Sequence, residues 1–159
     1  EEGEICMRGP STMMGYWRND EASEAALGHG WLRSGDLGTM DDRGLLYLLG
    51  RAKELIKTGG ENVYPAEVDA IFAEMPEVLD AGCAGVPNKQ WGEAVKAFVV
   101  LHPDASLSRE QITARFKDQI AGYKRPRYIE FVDQLPRDPL GKLLRRELSE
   151  RPVTPDQAA

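Results

Sequence analysis

An α+β fold is predicted from residue 51 onward, and three observations carry the prediction. Strand and helix signals mix there without the regular alternation that builds a parallel βαβ sheet. "PAEVDAIFAEM" sets Val68, Ile71, Phe72 and Met75 at helical spacing, whereas "VLDAGCAGV" and "EAVKAFVVL" read as two apolar core strands. "SREQITARFKDQIAG" carries Ser108 and Gln111 three positions apart, the pair in which hydroxyl and amide each satisfy an otherwise free backbone N–H at a helix start.

Taken in order, "GEICMRG" alternates like a short strand and "GPSTMMGYW" is rich in turn residues. "NDEASEAAL" reads as a helix capped by Asn19 or Asp20, with acids in its first turn. "GWLRSGDLGTM" and "GLLYLLG" are strands joined by the turn "DDRG". This hairpin has no evident companion sheet in the first fifty residues, and a two-stranded hairpin is marginal alone. "ELIKTGGENVY" follows as strand, glycine turn and strand, and Pro65 suits the first position of the helix after it. The helix that starts at Ser108 is expected to end near Gly122; "RYIEFV" is a strand, "KLLRRELSE" a last helix and "RPVTPDQAA" a loose tail.

Composition narrows the function classes. The 159 residues are 42% hydrophobic and 29% charged, a globular balance. A net charge of -6 argues against a nucleic-acid surface, and the one basic cluster (Lys142, Arg145, Arg146) is too short to reverse that. No apolar run approaches the ~20 residues of a membrane span, and no export leader is seen, so a cytoplasmic location is expected. Cys6 and Cys83 lie in apolar contexts without metal or redox spacing and are expected to be buried thiols; His29 and His102 are isolated, so no metal site is expected. The first residue is Glu1 rather than Met, and a strand pattern begins at once; the chain is expected to be part of something longer.

"LPRDPLGKLLRREL" sets Gly141 and Lys142 just after two prolines. A phosphate-cradling loop would need a glycine where Pro136 stands and Ser or Thr where Leu143 stands, so this Gly-Lys pair is not a P-loop.

"GEICMRGPSTMMGYW", "GWLRSGDLGTMDDRGLLYLLGRAKELIKTGGENVYPAEVD" and "LPRDPLGKLLRREL" resemble, in order and spacing, the late motifs of the adenylate-forming enzymes: acyl-CoA synthetases, peptide-synthetase adenylation domains and firefly luciferase. The three stretches cover about half the chain, and the earlier family motifs, the ATP phosphate loop and the adenine-stacking stretch, are absent. The resemblance implies residues 1–49 as the tail of the large N-terminal domain, 50–53 as a hinge, 54–150 as the small mobile C-terminal domain and 151–159 as a loose tail. The implied reaction joins a carboxylic acid to CoA with ATP and Mg²⁺, through an acyl-adenylate, releasing pyrophosphate and then AMP. The missing domain would hold Mg²⁺ and most ATP contacts, so the chain alone is expected not to turn over. The strands before Leu49 are expected to be disordered or to pair with a second copy.

Within that resemblance Asp36 matches the ribose-holding aspartate, a role suited to a carboxylate that accepts from two hydroxyls at once. Unaided, it reads equally as a turn cap. Arg51 matches the arginine that contacts ribose and phosphate, and Lys53 falls at the hinge position. Lys57, Gly59, Gly60 and Glu61 match the stretch that enters the site during thiolation and lines the pantetheine tunnel; the double glycine resembles the CoA-ligase pattern rather than the carrier-loading one. Trp91 is placed near the CoA adenine or in edge packing, while Tyr16, Trp17 and Trp31 are expected to pack. Lys142 matches the catalytic lysine, carried on a mobile loop. It would offset the repulsion between carboxylate and polyphosphate and stabilise charge on the α-phosphoryl oxygens. Leu140 departs from the usual Ser or Thr before Gly141. Pro136 and Gly141-Lys142 also have the spacing at which bacterial acyl-CoA synthetases are acetylated on this lysine. Two other readings stand beside the ligase: a module or lid binding CoA or adenylate, and a carrier-protein-loading adenylation domain.

Overall fold

The computed structural model describes all 159 residues. They form two compact units, Glu1–Lys53 and Glu54–Ala159.

The first unit is a three-stranded antiparallel sheet. Strand β1 (Glu2–Met7) pairs with β2 (Leu32–Met40), and β2 pairs with β3 (Leu46–Arg51). The hairpin therefore does have a companion, because β1 lies on its open edge. This overturns the expectation of disorder or of pairing with a second copy: the strands pair with one another inside one chain. Helix α1 (Asp20–Ala26) starts at Asn19, whose side chain accepts the Ala22 N–H. The β2–β3 turn is closed by Asp41, whose carboxylate accepts the N–H groups of Arg43 and Leu45. Only Gly38 is buried in this unit. Tyr16, Trp17 and Trp31 are exposed rather than packed, Trp17 at 86%. Cys6 is exposed too, contrary to the expected buried thiol.

The second unit is a mixed α+β layer structure, as its sequence predicts. Strands β4 (Ile56–Thr58) and β5 (Glu61–Val63) form a short hairpin, and Pro65 opens helix α2 (Pro65–Ala73). Strands β6 (Val78–Asn88) and β7 (Gly92–Leu101) make the long antiparallel centre. On its other edge β7 meets β4 at Gly92 and runs parallel with β8 (Tyr128–Phe131) from Lys96 to Val99. Helix α3 (Arg109–Phe116) lies between β7 and β8 in sequence, and Ser108 and Gln111 form the predicted reciprocal cap. It stops at Phe116, before Gly122, which instead opens a separate 3-10 turn. Helix α4 (Arg145–Ser149) begins three residues later than the sequence pattern indicated.

Side-chain alternation along β7 explains why most of this strand is apolar. Val95, Ala97 and Val99 face a cluster with Val68 and Phe72 of α2 and Ile112 and Phe116 of α3. Phe98 and Val100 face a second cluster with Leu135 and Leu148, against which Leu143 packs. Phe72 and Phe116 meet edge to face at 5.0 Å between centroids.

Lys96 interrupts that pattern on the Phe98 face and is 0% exposed. Its ammonium pairs with Glu130 at 2.7 Å and donates to the Pro152 carbonyl at 2.6 Å. Glu130 also takes Arg151 and the Gln157 amide. This network, with the Ala159 N–H on the Arg127 carbonyl, orders residues 151–159, which are folded rather than loose. A buried ammonium left unpaired would be costly, so the tail completes the unit.

Candidate active site

In the first unit β2 and β3 set Asp36 and Arg51 directly opposite each other. Their side chains form an ion pair at 2.9 Å, and Arg51 also donates to the Ser34 carbonyl at 3.2 Å. The Asp36 N–H donates to the Ser34 hydroxyl, fixing the start of the pair. Both groups keep solvent access, with 28% and 48% of their side chains exposed, so each retains free hydrogen-bonding capacity. Two candidates fifteen positions apart in sequence thus form one acidic-basic pair. Lys53 lies in a 3-10 turn (Ala52–Glu54) and is exposed.

In the second unit Lys57, Gly59, Gly60 and Glu61 share the β4–β5 hairpin. Gly59 adopts φ +61 and Gly60 φ +89, both left-handed, so the turn needs residues without a Cβ penalty. Space demands it as well: a Cβ on Gly59 would stand 2.8 Å from the Trp91 ring. The Gly59 N–H donates to the Trp91 carbonyl at 2.9 Å, and the Lys57 N–H to Glu93 at 2.7 Å. The Arg127 guanidinium lies over the Trp91 ring at 4.8 Å, adding a cation to the same surface. The side chains of Lys57 and Glu61 are exposed.

Lys142 stands on a different hairpin of this unit. Residues 136–144 double back on themselves, with Arg137 opposite Leu143. The Asp138 N–H donates to the Lys142 carbonyl at 2.9 Å, and the Leu144 N–H to the Pro136 carbonyl at 2.9 Å. Pro139 occupies the second position of the turn closed by the Gly141 N–H on the Asp138 carbonyl, and Gly141 has φ +84. These bonds close residues 136–144 into a hairpin. The expected position at a helix start is corrected, since α4 begins only at Arg145. The Lys142 ammonium is exposed and makes no ion pair or hydrogen bond within the chain.

Arg145, which the sequence showed only as one of a basic cluster, ties distant parts together. It pairs with Glu54 at 2.9 Å, binds Asp69 and donates to the Cys83 carbonyl at 2.7 Å. Burial raises the Asp69 carboxyl above its ordinary range, with Arg145 opposing. Burial likewise pushes the Cys83 thiol well up, so it remains protonated and inert as expected of a core cysteine. No group of three or more His, Cys, Asp or Glu side chains is placed to hold a metal ion, and no helix is long and apolar enough to cross a membrane.

Residues 67–142 match the family described as the AMP-binding enzyme C-terminal domain. The chain is 47% identical over 148 residues to the 2-succinylbenzoate–CoA ligase of Geobacillus kaustophilus, covering 93% of this chain and 30% of that protein. It is 43% identical to the long-chain-fatty-acid–CoA ligase of Escherichia coli O157:H7, covering 93% and 26%. Among solved structures, the o-succinylbenzoate CoA synthetase of Bacillus subtilis, in complex with the acyl-adenylate intermediate OSB-AMP, superposes with a TM-score of 0.90 at 41% identity. That match covers 96% of this chain and 31% of the other. The chain thus spans less than a third of the length of these relatives.

Proposed function

We propose that the chain, whose residues 67–142 match the AMP-binding enzyme C-terminal domain, supplies the C-terminal part of an ATP-dependent acyl-CoA synthetase. The observation that carries this reading is Lys142: an unpartnered cation presented on a closed hairpin beside the matched motif. In the first half-reaction a carboxylate oxygen attacks the α-phosphorus of ATP, and the bond to the leaving pyrophosphate breaks. Two anions must approach, and the Lys142 ammonium offsets their repulsion while charge builds on the α-phosphoryl oxygens. A compact ammonium suits this task, because no planar fork is needed. In the second half-reaction the CoA sulfur attacks the acyl carbon, its proton is lost, and AMP departs.

The other candidates take roles in the same scheme. Asp36 accepts from the ribose hydroxyls, with Arg51 beside it for ribose and phosphate. Lys53 lies in the hinge about which the C-terminal domain exchanges its two faces. The β4–β5 turn serves thiolation, with Gly59 and Gly60 lining the pantetheine path, Lys57 toward CoA phosphates and Trp91 toward the CoA adenine. The contact of Gly59 with Trp91 supports CoA over a carrier protein as acceptor, since an arginine at position 59 would displace the ring. Mg²⁺ and most of the ATP site belong to the part of such an enzyme that precedes this chain.

Lys142 is also proposed as an acetylation site. Its ammonium is exposed, and acetylation would delete the charge adenylation uses. Acetylated protein should lose adenylation while still converting supplied acyl-AMP and CoA; equal loss of both would refute the modification as a switch.

The test of function is AMP release in the full-length protein that carries this chain, with ATP, CoA and a panel running from o-succinylbenzoate to short- and long-chain fatty acids. AMP formation that requires both an acid and CoA establishes the ligase and names its substrate class. AMP formation indifferent to CoA, or none with any acid, would defeat it.

A further inference from the structure

We infer that Asp138 is the positioning residue that aims Lys142, an inference that rests on the adenylation role proposed above. The Asp138 carboxylate accepts two backbone N–H groups through one oxygen, from Leu140 at 2.9 Å and from Lys142 itself at 2.9 Å. Its own backbone adds two more bonds, N–H to the Lys142 carbonyl and carbonyl to the Gly141 N–H. Lys142 is therefore held through its N–H and its carbonyl by a single residue four positions earlier. Exposed turn amides ordinarily turn to water, so a carboxylate that takes both fixes the backbone from which the lysine projects.

The hairpin is in turn fastened to the sheet. Arg137 donates to the Gly141 carbonyl at 2.7 Å and grips Asp80 on β6 with two nitrogens, the shorter contacts at 2.8 Å. Leu143 seats on β6 so closely at Gly82 that a Cβ there would stand 2.4 Å from it. With Leu143 pinned inward, alternation along the strand turns its neighbour Lys142 outward, where it is exposed. Leu140, at the turn's third position, is 94% exposed. Asp138 thus closes this turn without a side-chain hydroxyl at position 140.

A positioned cation matters most where charge develops in the transition state, and an error of an ångström in its placement is costly. Asp138 should therefore affect adenylation and leave thiolation alone, which a purely structural residue would not do.

The experiment measures both half-reactions in the full-length protein for Asp138→Ala, Asp138→Asn and Lys142→Ala: acid-dependent pyrophosphate exchange into ATP, and thioester formation from supplied acyl-AMP and CoA. Amide exchange at Lys142 is followed in parallel. Asp138→Ala is expected to slow adenylation by roughly tenfold, the effect of losing about one such bond's worth of alignment. Thiolation should stay within about twofold, which also shows that the domain remains folded, and the Lys142 amide should exchange faster. Asp138→Asn keeps a side-chain oxygen for both N–H groups and should restore most of the rate. Equal losses in both half-reactions, or full adenylation in Asp138→Ala with Lys142→Ala inactive, would overturn the positioning role alone. Adenylation unchanged in Lys142→Ala would instead overturn the catalytic reading beneath it.

Discussion

The two units use their apolar residues in opposite ways. In Glu54–Ala159 both faces of β7 are covered, and Phe72, Phe98, Phe116, Ile112 and Ile129 are essentially removed from water. In Glu1–Lys53 the sheet is equally well bonded along its backbone, yet Met40, Leu45, Leu46, Tyr47 and Leu48 all stand exposed, Leu48 at 67%. Hydrogen-bonded strands are thus not a core. Pairing satisfies the backbone, but removal of apolar area from water supplies most of the stability, and within these 159 residues the second unit holds nearly all of the buried apolar side chains.

Deleting core should expose this difference most strongly. Phe72→Ala removes a ring packed edge to face on Phe116, and is expected to cost ~3–5 kcal/mol in denaturant unfolding of the second unit. Leu48→Ala in the first unit, measured in this 159-residue chain, is expected to stay within about 0.5 kcal/mol, as for a surface change. Comparable losses at the two sites would break the contrast.

Next in size is the ion network. Arg145→Met leaves Asp69 buried with a charge and no guanidinium, and a loss of roughly 3 kcal/mol is expected. The companion change Asp69→Asn in that background should recover part of it by removing the stranded charge. No recovery would show that packing, not charge, holds the cluster.

The smallest effect is set by pH. The hydrogen bonds from Arg115 hold the Glu77 carboxyl below its ordinary value. A depressed folded-state value means that the pair stabilises the fold above the unfolded carboxylate range, and that this contribution fades as pH falls through the folded value. The stability gap between the wild-type chain and Glu77→Gln should therefore be small near neutral pH and shrink on acidification below about 4.3. A gap that widens on acidification would reverse the assignment.

Much of the second unit could be read from the chain because its signals are local: the Ser108–Gln111 cap, Pro65 at a helix start, and the apolar runs of β6 and β7. Lys96 could not be read this way. A lysine inside "EAVKAFVVL" becomes intelligible only through Glu130 and Pro152, residues 34 and 56 positions away, and with it the order of the tail. Arg145 was hidden for the same reason, since its three partners come from three distant segments. Asp138 is a different case. Asp-Pro-Leu-Gly carries the residues a tight turn prefers at its first, second and fourth positions, so the turn is legible in the sequence, whereas the bonds from the Leu140 and Lys142 N–H groups to the Asp138 carboxylate are not. In the first unit the strand patterns are readable in the sequence, while the pairing of β1 with β2, about thirty residues on, is not.

The central claim is that Lys142 serves one half-reaction only, and Lys142→Ala in the full-length protein tests it most directly. The account predicts that acid-dependent pyrophosphate exchange falls on the order of a hundredfold, equivalent to about 3 kcal/mol of barrier, while acyl-AMP and CoA still yield thioester at near the wild-type rate. Exchange that survives the substitution, or thioester formation that falls with it to the same degree, would contradict the claim.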